Sequence, residues 1–336
     1  MINIGIIGAG RIGKVHAKSI LTSGAPVRIK AIADPYLTAD TEAWARSVGI
    51  EGIHLDHGNI IDDTEIDAVL ICSSTDTHSA ISLDAIGAGK HVFCEKPIDF
   101  DVLAINKVIK ALEGTDVKYQ VGFNRRFDHN FRAVKDAVAK GSIGTPHILK
   151  ITSRDPEPPP IEYVKVSGGI FVDMTIHDFD MVRYLLGSDA VEVFAAGAVL
   201  CDPAIGEAGD VDTAVVTLKM ANGAIAVIDN SRKAVYGYDQ RVEVFGSKGA
   251  VSVSNDTLSS AVVSNAEGVI SEKPLHFFLE RYMKSYQDEM TSFINAITND
   301  LQVEVNAIDG LKPVLMGLAA KKSLAENRPV SIKEII

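Results

Sequence analysis

Cysteine and basic charge are both in short supply in this 336-residue chain. The three cysteines, Cys72, Cys94 and Cys201, are odd in number and widely spaced, which speaks against a disulfide framework and a cysteine metal motif alike. Reduced, mostly buried thiols in a cytoplasmic protein are the expectation. Lys and Arg number 33 against 44 Asp and Glu, and a formal charge of −11 argues against a nucleic-acid footprint. No apolar run approaches the roughly 20 residues of a membrane span. The opening Met1–Ile7 has no basic n-region and reads directly as structure, so no signal peptide is expected. Repeats, low-complexity tracts and flexible linkers are lacking too. Proline clusters once only, around Pro156, Pro158, Pro159 and Pro160.

What is present begins with length. Single cores rarely grow beyond about 250–300 residues, so two domains are expected, 1–123 and 124–336. Ile2 to Ile7 reads as a buried parallel strand, followed at once by Gly8-Ala9-Gly10-Arg11-Ile12-Gly13 and a helical pattern from Lys14 to Leu21. In that context the glycines serve a tight turn, close approach to a pyrophosphate and close helix–strand packing. The helix start offers N–H groups and positive dipole to phosphates. A second strand, Val27–Ala33, ends at Asp34, whose carboxylate suits the ribose hydroxyls of NAD and repels the 2′-phosphate of NADP. Strands and helices then alternate through Ala68–Cys72, His91–Cys94 and Lys118–Phe123, which predicts a parallel sheet. Ligands bind beyond the carboxyl ends of such strands. Ser73, Ser74, Thr75 and His78 fall there, as do Glu95-Lys96-Pro97 and Phe123-Asn124-Arg125-Arg126. Pro97 stiffens the turn at Lys96, which places that ammonium to bond a substrate hydroxyl.

After a helix at Asn130–Ala139 the pattern changes. Strand-like segments follow one another at Val191–Val199, Thr213–Met220, Ala224–Asn230, Gln240–Phe245 and Ala250–Val253, with a hairpin signal at Asn222-Gly223. They predict an open, largely antiparallel sheet with helices on one face and an oligomer interface on the other. Two helices near Phe278–Thr298 and Ala307–Glu326 close the chain. The fold class is therefore α/β, a Rossmann domain followed by an α+β domain. Within the second half, Gly168-Gly169 opens a helical stretch to Leu186 that sets Asp173, His177 and Asp180 at i, i+4 and i+7, on one helix face. Carboxylates around an imidazole form an arrangement that moves protons.

Gly8–Gly13, Glu95-Lys96-Pro97, and Gly168-Gly169 followed by Asp173 and His177 together resemble the Gfo/Idh/MocA oxidoreductases, over nearly the whole chain. Ser167–Asp180, Asn124–Asp128 and Tyr236–Arg241 resemble members that act on cyclitols. The resemblance implies a catalytic group of Lys96, Asp173 and His177. The cofactor implied is NAD, expected to be held by Gly8, Gly10, Arg11, Ile12, Gly13, Asp34, Ser73, Ser74, Thr75, His78, Glu95 and Lys96. A polyol substrate would meet Lys96, Arg126, Asp155, Asp173, His177, Asp180 and Tyr236, and the assembly implied is a homotetramer. No resident metal is expected.

The chemistry that follows is oxidation of a secondary ring hydroxyl, with hydride passing to the nicotinamide and the proton to a base. His177 suits the base because an imidazole titrates near neutrality, while Lys96 would stabilise developing alkoxide charge. Spacing leaves open which of the two takes the proton first. Three rival readings stand beside this one: a dehydrogenase of another sugar or aldose, a metal-dependent hydrolase or isomerase using Asp173, His177 and Asp180 as ligands, and a nucleotide-sensing regulator without chemistry. The metal reading leaves the glycine fingerprint and Lys96 without a job.

Overall fold

Six residues, Ile2–Ile7, form β1, and their apolar run explains why this strand lies buried at the middle of a sheet. The computed structural model describes residues 1–335. By contacts the chain divides into two compact units, Met1–Asn124 with Lys284–Leu311, and Arg125–Met283 with the chain from Lys312 onward.

In the first unit, β1 leads to α1 (Arg11–Leu21), β2 (Val27–Ala33), α2 (Ala39–Ser47), β3 (Gly52–His54) and α3 (Gly58–Ile61). Then come β4 (Ala68–Ile71), α4 (Thr75–Gly87), β5 (His91–Glu95), α5 (Val102–Leu112) and β6 (Tyr119–Gly122). Among the described residues these strands make one six-stranded parallel sheet in the order β3-β2-β1-β4-β5-β6. The direction of winding reverses between β1 and β4, so the loops after those two strands flank the crevice where such sheets hold ligands. The strand bounds expected for β1 and β2 match; the three-residue edge strand β3 was not foreseen.

The core of this unit holds Ile4, Ile6, Ile29, Ile32, Leu70 and Phe93, together with Met290, Phe293 and Ile294. Those last three lie on α11 (Phe278–Thr298), which corrects the expected boundary. From Lys284 on, α11 and the segment to Leu311 pack with the first unit, because their apolar residues fill its core.

The second unit contains α6 (His129–Ala139), β7 (Pro146–Arg154), α7 (Ile161–Val164), α8 (Ile170–Asp173), α9 (Thr175–Leu186), β8 (Ala190–Ala198) and α10 (Pro203–Glu207). It continues with β9 (Thr213–Met220), β10 (Ile225–Ser231), β11 (Asp239–Gly246), β12 (Gly249–Val253) and a separate hairpin of β13 (Val262–Asn265) and β14 (Gly268–Ser271). Helix α12 (Ala307–Glu326), which belongs to this unit from Lys312 on, leads into β15 (Val330–Ser331) at the sheet edge. The main sheet runs β12-β11-β7-β10-β9-β8-β15 among the described residues, antiparallel except where β10 pairs parallel with β7. Gly223 turns the β9–β10 hairpin at φ 89°, as the Asn222-Gly223 signal predicts. Period-2 alternation buries Leu149, Val216, Leu218, Ala226, Ile228 and Val244 on the face that meets α6 and α9. The opposite face leaves Ile148, Phe194, Val215, Ile225 and Phe245 exposed.

Candidate active site

The turn after β1 is closed toward the protein and open on its outer side. Gly8 has φ +96°, and a Cβ there would lie 2.5 Å from the Cys72 carbonyl and the Ser73 nitrogen. At Gly13 a Cβ would come within 2.1 Å of the Gly8 carbonyl oxygen, whereas at Gly10 it would meet nothing within 4 Å. Gly10 is also the N-cap of α1 and supplies no side-chain cap, so the first N–H groups of that helix are left for an incoming anion. The Asp34 carboxylate accepts the Ala9 N–H at 2.8 Å through one oxygen and the Tyr36 N–H at 2.8 Å through the other. It is thereby fixed beside the glycine turn, with lone pairs remaining for ribose hydroxyls. These features fit a dinucleotide, and the residues that would hold one are Gly8, Gly10, Arg11, Ile12, Gly13 and Asp34.

Lys96 follows the end of β5, part-exposed, and the Lys96–Pro97 peptide is cis. Beneath it lies a residue that sequence reading passed over. His16 on α1, fully buried, bonds the Glu95 carboxylate at 2.6 Å, with Phe93 and Tyr286 edge-on to its ring. The other Glu95 oxygen accepts the Lys96 N–H at 3.2 Å. Glu95, expected to touch cofactor, thus holds the turn to the helix of the glycine loop. A histidine on the apolar side of α1, three residues past the last glycine, was the available signal.

His78 is a plain correction. It was expected to touch cofactor, yet it is buried, with Nδ1 2.8 Å from the Pro97 carbonyl and Nε2 3.0 Å from the Ser73 carbonyl. Both ring nitrogens are taken by backbone. Ser73 bonds Thr77 through their hydroxyls at 2.7 Å; Ser74 precedes α4 without a side-chain cap, and Thr75 begins it.

In the second unit the helix led by Gly168 and Gly169 is broken. Its pieces, α8 and α9, meet at Met174, so Asp173 and His177 sit either side of a joint instead of along one continuous helix. Both remain part-exposed. The glycines have φ +84° and +81°, and a Cβ on Gly169 would lie 2.8 Å from Asp210. That space admits the Asp210 carboxylate, which accepts the Ile170 N–H at 2.9 and 3.1 Å and so anchors the start of α8. Asp173 accepts the Tyr163 hydroxyl at 2.8 Å through Oδ1 and faces the guanidinium of Arg232 at 3.4–3.5 Å through Oδ2. Arg232, only 1% exposed, also reaches Asp210 at 3.7 Å. Tyr163, Asp210 and Arg232 escaped sequence analysis because nothing local marks them.

Asp180 departs from its expected place. It is fully buried, and its carboxylate accepts from Arg126 Nε at 2.9 and 3.1 Å and from Nη2 at 2.6 Å. A carboxylate turned inward onto an arginine is neither a third acid beside Asp173 and His177 nor a surface for a polyol. Arg126 is correspondingly committed, with Tyr184 beneath its guanidinium. The neighbouring pair repeats the pattern: Arg125 bonds Asp178 at 2.6 Å, and Asn230 donates to the other Asp178 oxygen at 2.9 Å. Burial pushes the Asp178 carboxyl up against the pull of Arg125. Tyr236, expected to touch polyol, gives its hydroxyl to Asp239 at 2.5 Å and receives Arg154 at 3.2 Å. Asp155, beginning the proline-rich loop, keeps an accessible side; desolvation lifts its carboxyl to about 6, with Asp173 adding to the rise and Arg232 opposing it.

Residues 2–123 match the family described as "Oxidoreductase family, NAD-binding Rossmann fold", and residues 131–252 match "GFO/IDH/MocA C-terminal domain". The chain is 48% identical to the myo-inositol 2-dehydrogenase of Thermotoga maritima, covering 99% of each chain. It is equally 48% identical to the inositol 2-dehydrogenase of Rhizobium meliloti, over 98% of this chain and 99% of that one. The solved scyllo-inositol dehydrogenase of Lactobacillus casei, with bound NAD(H) and scyllo-inositol, is 32% identical, covers 99% of both chains and superposes with a TM-score of 0.92. Full-length identity at this level, together with both halves of the family's domain pair, makes this chain a member of the Gfo/Idh/MocA oxidoreductases.

Proposed function

We propose that the protein is an NAD-dependent dehydrogenase of a cyclitol ring hydroxyl, converting myo-inositol to 2-keto-myo-inositol. The observation that carries this reading is the hold on Asp173, whose two oxygens are engaged by Tyr163 and Arg232 four residues before His177. A carboxylate fixed in that way, four residues before an imidazole, sets a fixed hydrogen-bond acceptor and a candidate general base in one short segment. The two full-length inositol dehydrogenase relatives support the substrate class.

In this reading bound NAD would supply the acceptor for the hydride of the carbinol carbon. His177 accepts the hydroxyl proton, so carbon loses two electrons and the oxygen loses its proton in balance. Lys96 donates a hydrogen bond to the same oxygen and stabilises it as charge develops. Asp173 orients the histidine or the substrate, and Asp155 accepts from other substrate hydroxyls. Asp34 accepts from the ribose and selects NAD over NADP. The exposed sheet face that carries Phe194, Val215 and Phe245 serves as the interface of a homotetramer working in the cytoplasm. Among the described residues no helix is long and apolar enough to cross a membrane.

The test is NADH formation with myo-inositol, scyllo-inositol, chiro-inositols and glucose, comparing NAD with NADP. Turnover of an inositol with NAD is expected. Faster turnover of glucose than of any inositol would move the assignment to an aldose dehydrogenase, and NAD binding without turnover of anything would make the chain a sensor.

A further inference from the structure

We propose that His78 is held as an imidazolium that clamps the Ser73 loop to the Lys96–Pro97 turn, and so acts as a positioning residue for Lys96. The geometry is unusual for a neutral ring. Each ring nitrogen lies at hydrogen-bond distance from a backbone carbonyl, 2.8 Å to Pro97 and 3.0 Å to Ser73. A carbonyl oxygen only accepts, so both nitrogens must donate, and only the protonated ring carries two N–H groups. In either neutral tautomer one nitrogen lone pair would face an oxygen lone pair inside a buried site, which is a costly arrangement.

The two carbonyls belong to different strand ends. Ser73 lies in the loop after β4, and Pro97 follows Lys96 beyond β5. One ring therefore fixes the spacing of two loops on the carboxyl edge of the parallel sheet, from a position on α4. Burial works against the charge and the two carbonyl oxygens work for it; Cys94 on β5 donates its S–H to the Glu95 carbonyl at 3.3 Å, so its sulfur brings no negative charge to the ring. The start of α4 is an electropositive end and also opposes the charge. Of the other titratable groups on elements around α4, Asp99 accepts from Ser79, while Tyr119 bonds Ser82 and also Cys94 beside the ring. The consequence for catalysis rests on the role given to Lys96 above, because a turn that loses one clamp shifts the ammonium relative to its target.

The experiment is nitrogen NMR of the full chain labelled in its histidine rings, with the His78 signal assigned by its loss in His78→Gln. Two protonated nitrogens at pH 7.5, releasing one proton at higher pH, are expected. In the wild-type enzyme kcat should fall over that same range, while His78→Gln, whose amide does not titrate, should lose this limb and have kcat lowered by up to about 10²-fold. A neutral ring at pH 7.5 overturns the imidazolium. A wild-type kcat limb that does not coincide with the ring titration overturns the positioning role, and needs no variant that folds. Ring protonation is read without turnover, so a protein that oxidised no inositol would sink the functional reading and leave this result legible.

Discussion

The two units place polar groups in opposite ways. In the first, the cradle is made of backbone: N–H groups at the start of α1, a turn that tolerates no Cβ at Gly8 or Gly13, and one carboxylate, Asp34, aimed by two amides. In the second, acids are set by arginines far away in sequence. Arg125 meets Asp178 across 53 positions, Arg126 meets Asp180 across 54, and Arg232 meets Asp173 across 59. Backbone sites are rigid because secondary structure already fixes them. Side-chain sites depend on charge pairs that must be complete to be worth having, since one buried charge left alone is heavily penalised.

Substitutions can break this contrast, and the largest effect is expected at the chemistry itself. His177→Ala should lower turnover by roughly 10²–10⁴-fold with NAD affinity nearly unchanged; steady-state kinetics and NAD titration together check it. Next comes the charge pairing. Asp180→Asn strands a buried guanidinium, and urea unfolding should show a loss of about 3–5 kcal/mol, while replacing Arg126 and Asp180 together by Met and Leu should recover most of it. In the backbone cradle, Gly10→Ala should leave the melting temperature in place and weaken NAD by about tenfold, which is about 1.4 kcal/mol. Gly13→Ala should lower both, because its Cβ meets the Gly8 oxygen at 2.1 Å. Equal melting temperatures for the two alanine variants would dissolve the distinction between open and closed sides of the turn.

The smallest effect is the acid limb. Asp155, lifted to about 6 by desolvation, is ionised above that pH and accepts substrate hydroxyls; below it the group is protonated and kcat/KM should fall. Because its folded pKa lies above the ordinary 3.8, the folded state binds the extra proton, and this group favours folding as pH drops from about 6 toward 4. Asp155→Asn should flatten both trends, and an unchanged acid limb would remove Asp155 from substrate binding.

How much could be read from sequence follows the same division. Strand β1, the glycine turn, β2 and Asp34 were legible because each is a local pattern with a local cause. The Asn222-Gly223 hairpin was legible for the same reason. The joint at Met174 was not, since apolar periodicity runs through it unbroken while Asp210, anchoring Ile170 from 40 positions away, is invisible to any window. Asp180 was misplaced because helical spacing describes a single straight helix and says nothing about which arginine a carboxylate will find. The allegiance of α11 was equally hidden: amphipathicity reveals an apolar face and leaves its partner unnamed.

His16 has a consequence for protein engineering. The helix that begins with the glycine turn also carries the imidazole that bonds Glu95, the residue before Lys96. A module graft that exchanges residues 1–34 to alter cofactor choice would carry the mooring of the lysine turn along with it. Unless the donor segment brings a histidine at position 16, the graft trades reactivity for selectivity, and the two properties cannot be bred apart on that helix.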